Sequence, residues 1–438
     1  MAQMIRQATL IGGAHELDEG GIGDVIIDGG QIVAIAPQIT DPPTDIQIIS
    51  GSGQFLGPGL IDLYSQSGEP GHEPRETLES LRQAAAAGGF TRLGLLPNTE
   101  PAADSVSAIA SILALKKSFS IKKAGNESFP SDQSDFMPWS TITLGAEGEQ
   151  LVEFAELIEA GALGFTDAQP LTNPVLVRRL LEYMQPFGKP IALWPCDRQL
   201  AGGGVAREGL DSLRLGLAGV SAIAETSPLA MLLECIAEIP TPIHIMRVST
   251  ARSVALIRQA KERGLPITAS VAWHHLCFDT GDLQDYQPSL RHEPPLGTPT
   301  DRQALIEAVR EGVLDAIAID HSPYTYEEKT VAFDASPPGA IGLELALPVL
   351  WQTFVASGEW SSELLWYRLS YGPASCLGLD AGKVKTGAVA ELTLFDPNLE
   401  WTVSAQSLRS LSAFNTPWAG QSIQGKVSQI WNGSTWNG

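Results

Sequence analysis

Eight short apolar runs, each followed by a stretch with helical punctuation, occupy the middle of this 438-residue chain. They are LIDLYS (60–65), RLGLLPN (92–98), TITLGA (141–146), ALGFTD (162–167), PIALWPCD (190–197), PIHIMRVS (242–249), ITASVAWHH (267–275) and DAIAIDHS (315–322). Runs apolar on both faces, alternating with amphipathic helices, build a parallel sheet covered by helices. One helix is expected from about Arg75 to Ala87, ending at Gly88-Gly89. TARSVALIRQAKERG has Ser249 or Thr250 as cap, and TDRQALIEAVREG has Thr300 or Asp301, with Gly264 and Gly312 as stops. Eight such units between residues 60 and 322 suit a (β/α)8 barrel. A doubly wound open sheet is the alternative, weakened because no glycine-rich phosphate loop follows the first run.

The two ends of the chain read differently. Short apolar runs alternate with turn signals, Asp28-Gly29 near the start and Asn432-Gly433 near the end. Residues 1–56 and 381–438 are therefore expected to form one small β domain, a β-sandwich, beside a barrel spanning 57–380. Residues 116–140 interrupt the rhythm with a polar stretch containing Lys116, Lys117, Lys122 and Lys123. A solvated helix end and surface loop is the plain reading, a partner-binding loop the alternative.

Charge narrows the function. Lys and Arg number 28 against 50 Asp and Glu, a formal net charge of −22, which opposes binding to nucleic acid or to an anionic membrane. The four cysteines (Cys196, Cys235, Cys277 and Cys376) form no CxxC pair, which suits a reducing cytoplasm and excludes a cysteine-bound zinc. No apolar run approaches the roughly 18 residues of a membrane span. The expectation is a soluble cytoplasmic protein.

Active sites of such barrels lie at the C-terminal strand ends. Those ends supply Tyr64, Ser65 and Gln66, then Asn98, Asp167, Trp194, Arg247, the pair His274-His275, and Asp320-His321. Carboxylates are present, but no histidine pair is placed to hold a metal. Asp320-His321 could be an acid/base pair. Neighbouring strand residues face opposite sides, so only one of the two can face the barrel centre. An Asp capping a loop with a His packed behind it fits equally well.

GPGLIDLYSQSGEPG (57–71) and AAGGFTRLGLLPNT (86–99) resemble stretches of the dihydroorotase branch of the amidohydrolase superfamily, which run PGLIDxHxHxREPG and AxGGFTxxxxMPNT. The likeness continues through HIMRVSTARS (244–253), DAIAIDHSPYTYEEK (315–329), PGAIGLELALP (338–348) and FNTPWAG (414–420). It spans the whole chain and is nearest to the bacterial type that associates with aspartate carbamoyltransferase. The resemblance implies metal-assisted hydrolysis of a cyclic amide, in which zinc lowers the pKa of a bound water.

Position by position, this sequence departs from that pattern. The two histidines of HxH correspond to Tyr64 and Gln66, and the ligand histidines of strands five and six to Trp194 and Arg247. The bridging carboxylate corresponds to Asp167 and the proton-shuttle Asp to Asp320; only these two keep a ligand type. The substrate Arg corresponds to Gly68, the Asn of NPPLR to Glu293, a substrate His to Tyr324, and the FG pair to Pro338-Gly339. The substrate Asn of PNT survives as Asn98. The resemblance thus leaves Asp320 and Asn98 as vestiges in a site expected to hold no metal. Arg247 is expected to pair with Asp320 or Asp167 in place of the metal's charge, with Trp194 and Tyr64 filling the substrate space. His244 and His274-His275 read as packed structural residues. His15, His72 and His292 have no metal partner, and His72 reads as exposed.

The expected protein is a dihydroorotase-like pseudoenzyme of pyrimidine biosynthesis acting by association. Its expected partners are itself, as a homo-oligomer, and aspartate carbamoyltransferase, with no cofactor. The alternatives are an active cyclic amidohydrolase with an atypical zinc site, and a binding protein that kept the pocket for another ligand.

Overall fold

The computed structural model of the chain describes residues 2–12, 21–122 and 134–433. Its centre is a closed parallel barrel. Leu60–Ser65, Phe90–Leu95 and Asp135–Pro138 pair in that order. Single bridges from Ser140 to Phe165 and from Phe165 to Ile191 carry the order through the fourth and fifth positions. Ala192–Leu193, Ile243–Ile245, Ile267–Ala272 and Ala316–Ala318 complete it. The seam back to the first strand is made by Gln66 N donating to His321 O (2.8 Å) and Ile319 N donating to Asp62 Oδ1 (2.8 Å). Burial pushes the Asp62 carboxyl up to about 7, against the pull of its Ser65 and Ile319 hydrogen bonds.

Two expectations about the third unit are corrected. Residues 141–146 are not a strand: Leu144–Ala146 is a short 3-10 turn, and the strand is Asp135–Pro138, inside the stretch read as polar loop. TITLGA mimics a strand because three β-branched residues run together and polar Thr alternates with apolar Ile and Leu, yet its backbone amides at 142 and 143 bind a side chain instead of a neighbouring strand. FMPW carries a proline and only four residues, but Phe136, Met137 and Trp139 are all buried. Trp139 Nε1 donates to Leu63 O (2.9 Å). Lys116, Lys117 and Lys122 fall within the helix Val106–Lys122, and Lys123 lies outside the described residues.

Strand alternation sorts the barrel's side chains into two cores. Ile61, Leu63, Tyr64, Met137, Ala192, Met246, Ala316 and Ala318 form the interior cluster. Leu60, Phe136, Leu193, Ile243, Ile245 and Ile317 belong to the shell beneath the helices. The helix Leu78–Ala87 starts later than expected, with Thr77 and Ser80 closing a capping box. Thr250 caps Ala251–Glu262 as expected. Pro299–Glu311 is capped by Thr298, with Asp301 at its third position completing the box; Pro at the first helical position moved the start back two residues.

Both chain ends join one seven-stranded sheet among the described residues, in the order 422–432, 391–402, 55–58, 3–10, 22–28, 31–36, with 47–50 also on 3–10. This is the β-sandwich domain. The first hairpin turns at Gly29-Gly30, one residue beyond the expected pair, with Asp28 opposite Gln31 and both glycines at positive φ. Asn432 is not a turn residue: it closes the last strand opposite Glu391. Glu391 also ties the sheet to the barrel, accepting from Thr91 Oγ1 (2.7 Å) and Arg92 Nη2 (2.5 Å). No helix of the described residues is long and apolar enough to cross a membrane.

Candidate functional site

A cleft of about 200 Å³ opens at the C-terminal strand ends, lined among others by Gln66, Asn98, Trp194, Arg247, Glu293 and Asp320. Its backbone is unusual. Six non-glycine residues of the described chain have positive φ, and three of them (Ala168, Arg247 and Asp320) line this cleft. Each such residue costs roughly 1–2 kcal/mol, and concentrations of strained residues belong to sites with a function to serve. On the sixth strand His244 and Met246 face the interior, so strict alternation would send Arg247 outward. Its φ of 54° turns the side chain back into the cleft. His244 is packed in the core, as expected, and there it faces the barrel interior.

The guanidinium of Arg247 meets Asp320 in a fork: Nε to Oδ2 and Nη2 to Oδ1, both 2.8 Å. Nη1 donates to Ala168 O (3.3 Å). The Trp194 ring centroid lies 5.1 Å from the guanidinium carbon and the Tyr64 centroid 5.9 Å, within reach of cation–π attraction. Burial works against the Arg247 charge, but Asp320 outweighs it and raises the guanidinium above its ordinary value. Asp320 faces the cleft while His321 points behind it, its Nε2 lying 3.5 Å from Glu76 Oε2. They are not an acid/base pair sharing one face.

Beneath the ion pair the barrel is filled. Tyr64 is fully buried, and its hydroxyl accepts from Arg247 N (3.2 Å) and bonds Ser270 Oγ (2.9 Å). Ser270 Oγ lies 2.8 Å from His244 Nε2, and His244 Nδ1 lies 2.9 Å from Thr268 Oγ1. Burial lowers His244 to about 3. Tyr64 thus forms the floor and does not occupy the cleft, whereas Trp194 does line it.

Asp167 does not face Arg247. Its Oδ1 accepts from Ile142 N (2.7 Å) and Thr143 N (3.0 Å), and its Oδ2 from Thr143 Oγ1 (2.8 Å). It is spent on the loop that sequence reading took for a strand. Gln66 Nε2 donates to Ser322 Oγ (3.2 Å). Asn98 lines the cleft, as do His72, which is half-exposed, and Tyr324. A Cβ on Gly68 would lie 2.4 Å from Glu76 O and 2.5 Å from His72 O. A side chain there requires the backbone at His72 and Glu76 to shift.

A divalent metal does not fit this donor set. Trp194 offers no lone pair, and Arg247 is a cation already held by Asp320. Asp167 is committed to backbone amides, and Tyr64 and Gln66 to serines. Zinc sites use three or four N, O or S ligands, and among the described residues no group of three or more His, Cys, Asp or Glu is placed to hold an ion.

Sequence reading missed a histidine stack. The His292 ring lies 4.4 Å from His274 and 5.9 Å from His275. All three are held below their ordinary pKa, by burial first and by one another second for His274 and His292. The loop that brings His292 back over the seventh strand leaves no periodic signal.

Residues 53–173 match the family described as Dihydro-orotase-like, and residues 232–434 the Amidohydrolase family. The chain is 42% identical over 420 residues to a probable dihydroorotase-like protein of Synechocystis sp., covering 92% of this chain and 94% of that one. It is 37% identical over 403 residues to a dihydroorotase of Pelotomaculum thermopropionicum, covering 92% and 91%. An L-hydantoinase (dihydropyrimidinase) from Arthrobacter aurescens shares the fold, with a TM-score of 0.80 over 99% of this chain and 95% of that one at 20% identity.

Proposed function

The chain belongs to the dihydroorotase-like amidohydrolases, and from that membership we propose that it is a non-catalytic member serving pyrimidine biosynthesis by association. The observation that carries this reading is the Arg247–Asp320 fork. It sets a permanent cation against the carboxylate that the family uses to shuttle a proton, at the position where the family places a metal-ligating histidine. A carboxylate committed to two guanidinium N–H groups is a poor base, because the charge-assisted pair must be broken before it accepts a proton.

The remaining substrate groups point the same way. Glu293 lines the cleft where the family has a neutral Asn, and Gly68 removes the Arg that would hold a carboxylate. An anionic substrate would lose an attraction and meet a like charge. The partners we propose are a second copy of the chain and aspartate carbamoyltransferase. Alignment with dihydroorotases over more than nine-tenths of the chain is what supports these partners.

Purified protein should hydrolyse dihydroorotate at the buffer rate, with or without added zinc. Hydrolysis above background that disappears in Asp320→Asn would overturn the reading. Size-exclusion chromatography with the host's aspartate carbamoyltransferase should show co-elution. Separate elution at micromolar concentrations would refute that partner.

A further inference from the structure

We propose that the chain binds a small oxyanion in a second cavity, of about 60 Å³, that adjoins the cleft behind Trp194. Trp194 and Glu293 line both spaces. The cavity is further lined by Arg198, Arg207, Arg291 and Glu225. Three buried N–H donors belonging to its walls lack an acceptor: Trp194 Nε1, Arg207 Nε and Arg291 Nε. Buried donors of native proteins are almost always satisfied, so three orphans around one small space call for an acceptor inside it.

Charge separates an anion from water as that acceptor. Arg198 lies 3.6 Å from Glu293, and Arg207 lies 3.9 Å from Glu225. The Glu225 carboxylate is already engaged by Ser249 N (3.1 Å), Thr250 Oγ1 (3.2 Å) and Ser249 Oγ. Arg291 has no ion pair among the described residues. Its one acceptor is the neutral His292 O (2.8 Å), and burial lowers its pKa even against the pull of Glu293. Three cations against two carboxylates leave one positive charge, and the cation without a carboxylate is the partly buried Arg291. Water would satisfy the N–H groups but would not offset that charge.

Arg207 is fixed from the far side, with Nη2 donating to Ser249 Oγ (2.7 Å) and Nη1 to Val220 O (3.4 Å) across the two-residue pairing of Ala206–Arg207 with Gly219–Val220. The site is therefore preformed. Its volume admits a phosphate or a simple carboxylate and excludes a nucleotide. This inference does not depend on whether the main cleft is catalytic.

The test is thermal unfolding of the full-length protein at constant ionic strength, with chloride replaced stepwise by inorganic phosphate in one series and by acetate in another. A saturable, single-site rise in Tm with at least one oxyanion is expected, and the two series tell a phosphate site from a carboxylate site. Arg291→Met should abolish the rise, and Trp194→Phe, which keeps an aromatic ring but loses its N–H, should weaken binding by about tenfold. Trp194→Phe keeps the test usable where Arg291→Met fails to fold. No saturable rise with either anion in the wild type, or a rise unchanged in both variants, would overturn the proposal.

Discussion

Arg247 and Asp320 come from adjacent-but-one strands of the barrel, each in the left-handed backbone region, and meet through two parallel 2.8 Å hydrogen bonds. Two strained residues converge on one contact. Arg247 would not reach Asp320 if its strand continued with the ordinary alternation that turns Met246 to the interior.

That pair should be indispensable singly and dispensable jointly. Arg247→Met or Asp320→Leu alone leaves one buried partner without its counter-charge and should cost about 3–5 kcal/mol. The double variant should recover most of the loss, since replacing both charges by apolar groups is often neutral. Urea unfolding of the three variants measures this. Single variants within about 1 kcal/mol of wild type would mean that solvent already screens the pair.

Tyr64→Phe should destabilise by about 1–2 kcal/mol, because the backbone N–H of Arg247 loses its buried acceptor and Ser270 loses a partner. Adding Ser270→Ala should cost less than the two single losses together, as the residues share one hydrogen bond. Strict additivity in chemical denaturation would refute the shared network.

Gly68→Ala should destabilise by about 1–3 kcal/mol through overpacking, since the new methyl meets two backbone oxygens at 2.4–2.5 Å. A lowered Tm with unchanged circular dichroism is the expected result. An unchanged Tm would show that the loop from 68 to 76 yields freely.

Stability should rise with pH between about 4.5 and 6.5. His244 and His275 are pushed down to about 3 and 4, and His274 and His292 well below 6.5, all mainly by burial. In that window the unfolded imidazoles bind protons that the folded ones refuse. Asp62 and Glu344, raised by burial to about 7 each, and Asp167, also raised by burial, act in the opposite sense. Four against three still leaves net proton uptake on unfolding, with a slope on the order of 1 kcal/mol per pH unit. Urea midpoints across pH 4.5–6.5 test the sign; a flat or falling curve would contradict it.

The barrel was legible in the sequence because apolar runs and helical punctuation alternate along its middle, and the ion pair followed from the family resemblance, which puts Arg247 and Asp320 at ligand positions. The third strand was not, because Asp135–Pro138 is too short and carries a proline, while TITLGA carries the better pattern. Asp167 was misplaced for the same reason: its partners are amides of a loop that looked like a strand. The orphan donors of Arg207 and Arg291 were invisible, since nothing in local spacing brings residues 194, 207 and 291 to one cavity.

The closed space at Gly68 bears on how such a chain could change in time. An arginine introduced at 68 would meet the backbone of His72 and Glu76 before its guanidinium could bind anything. The position works as a one-way gate: an anion-holding side chain can stand there only after the loop of residues 68–76 is remade.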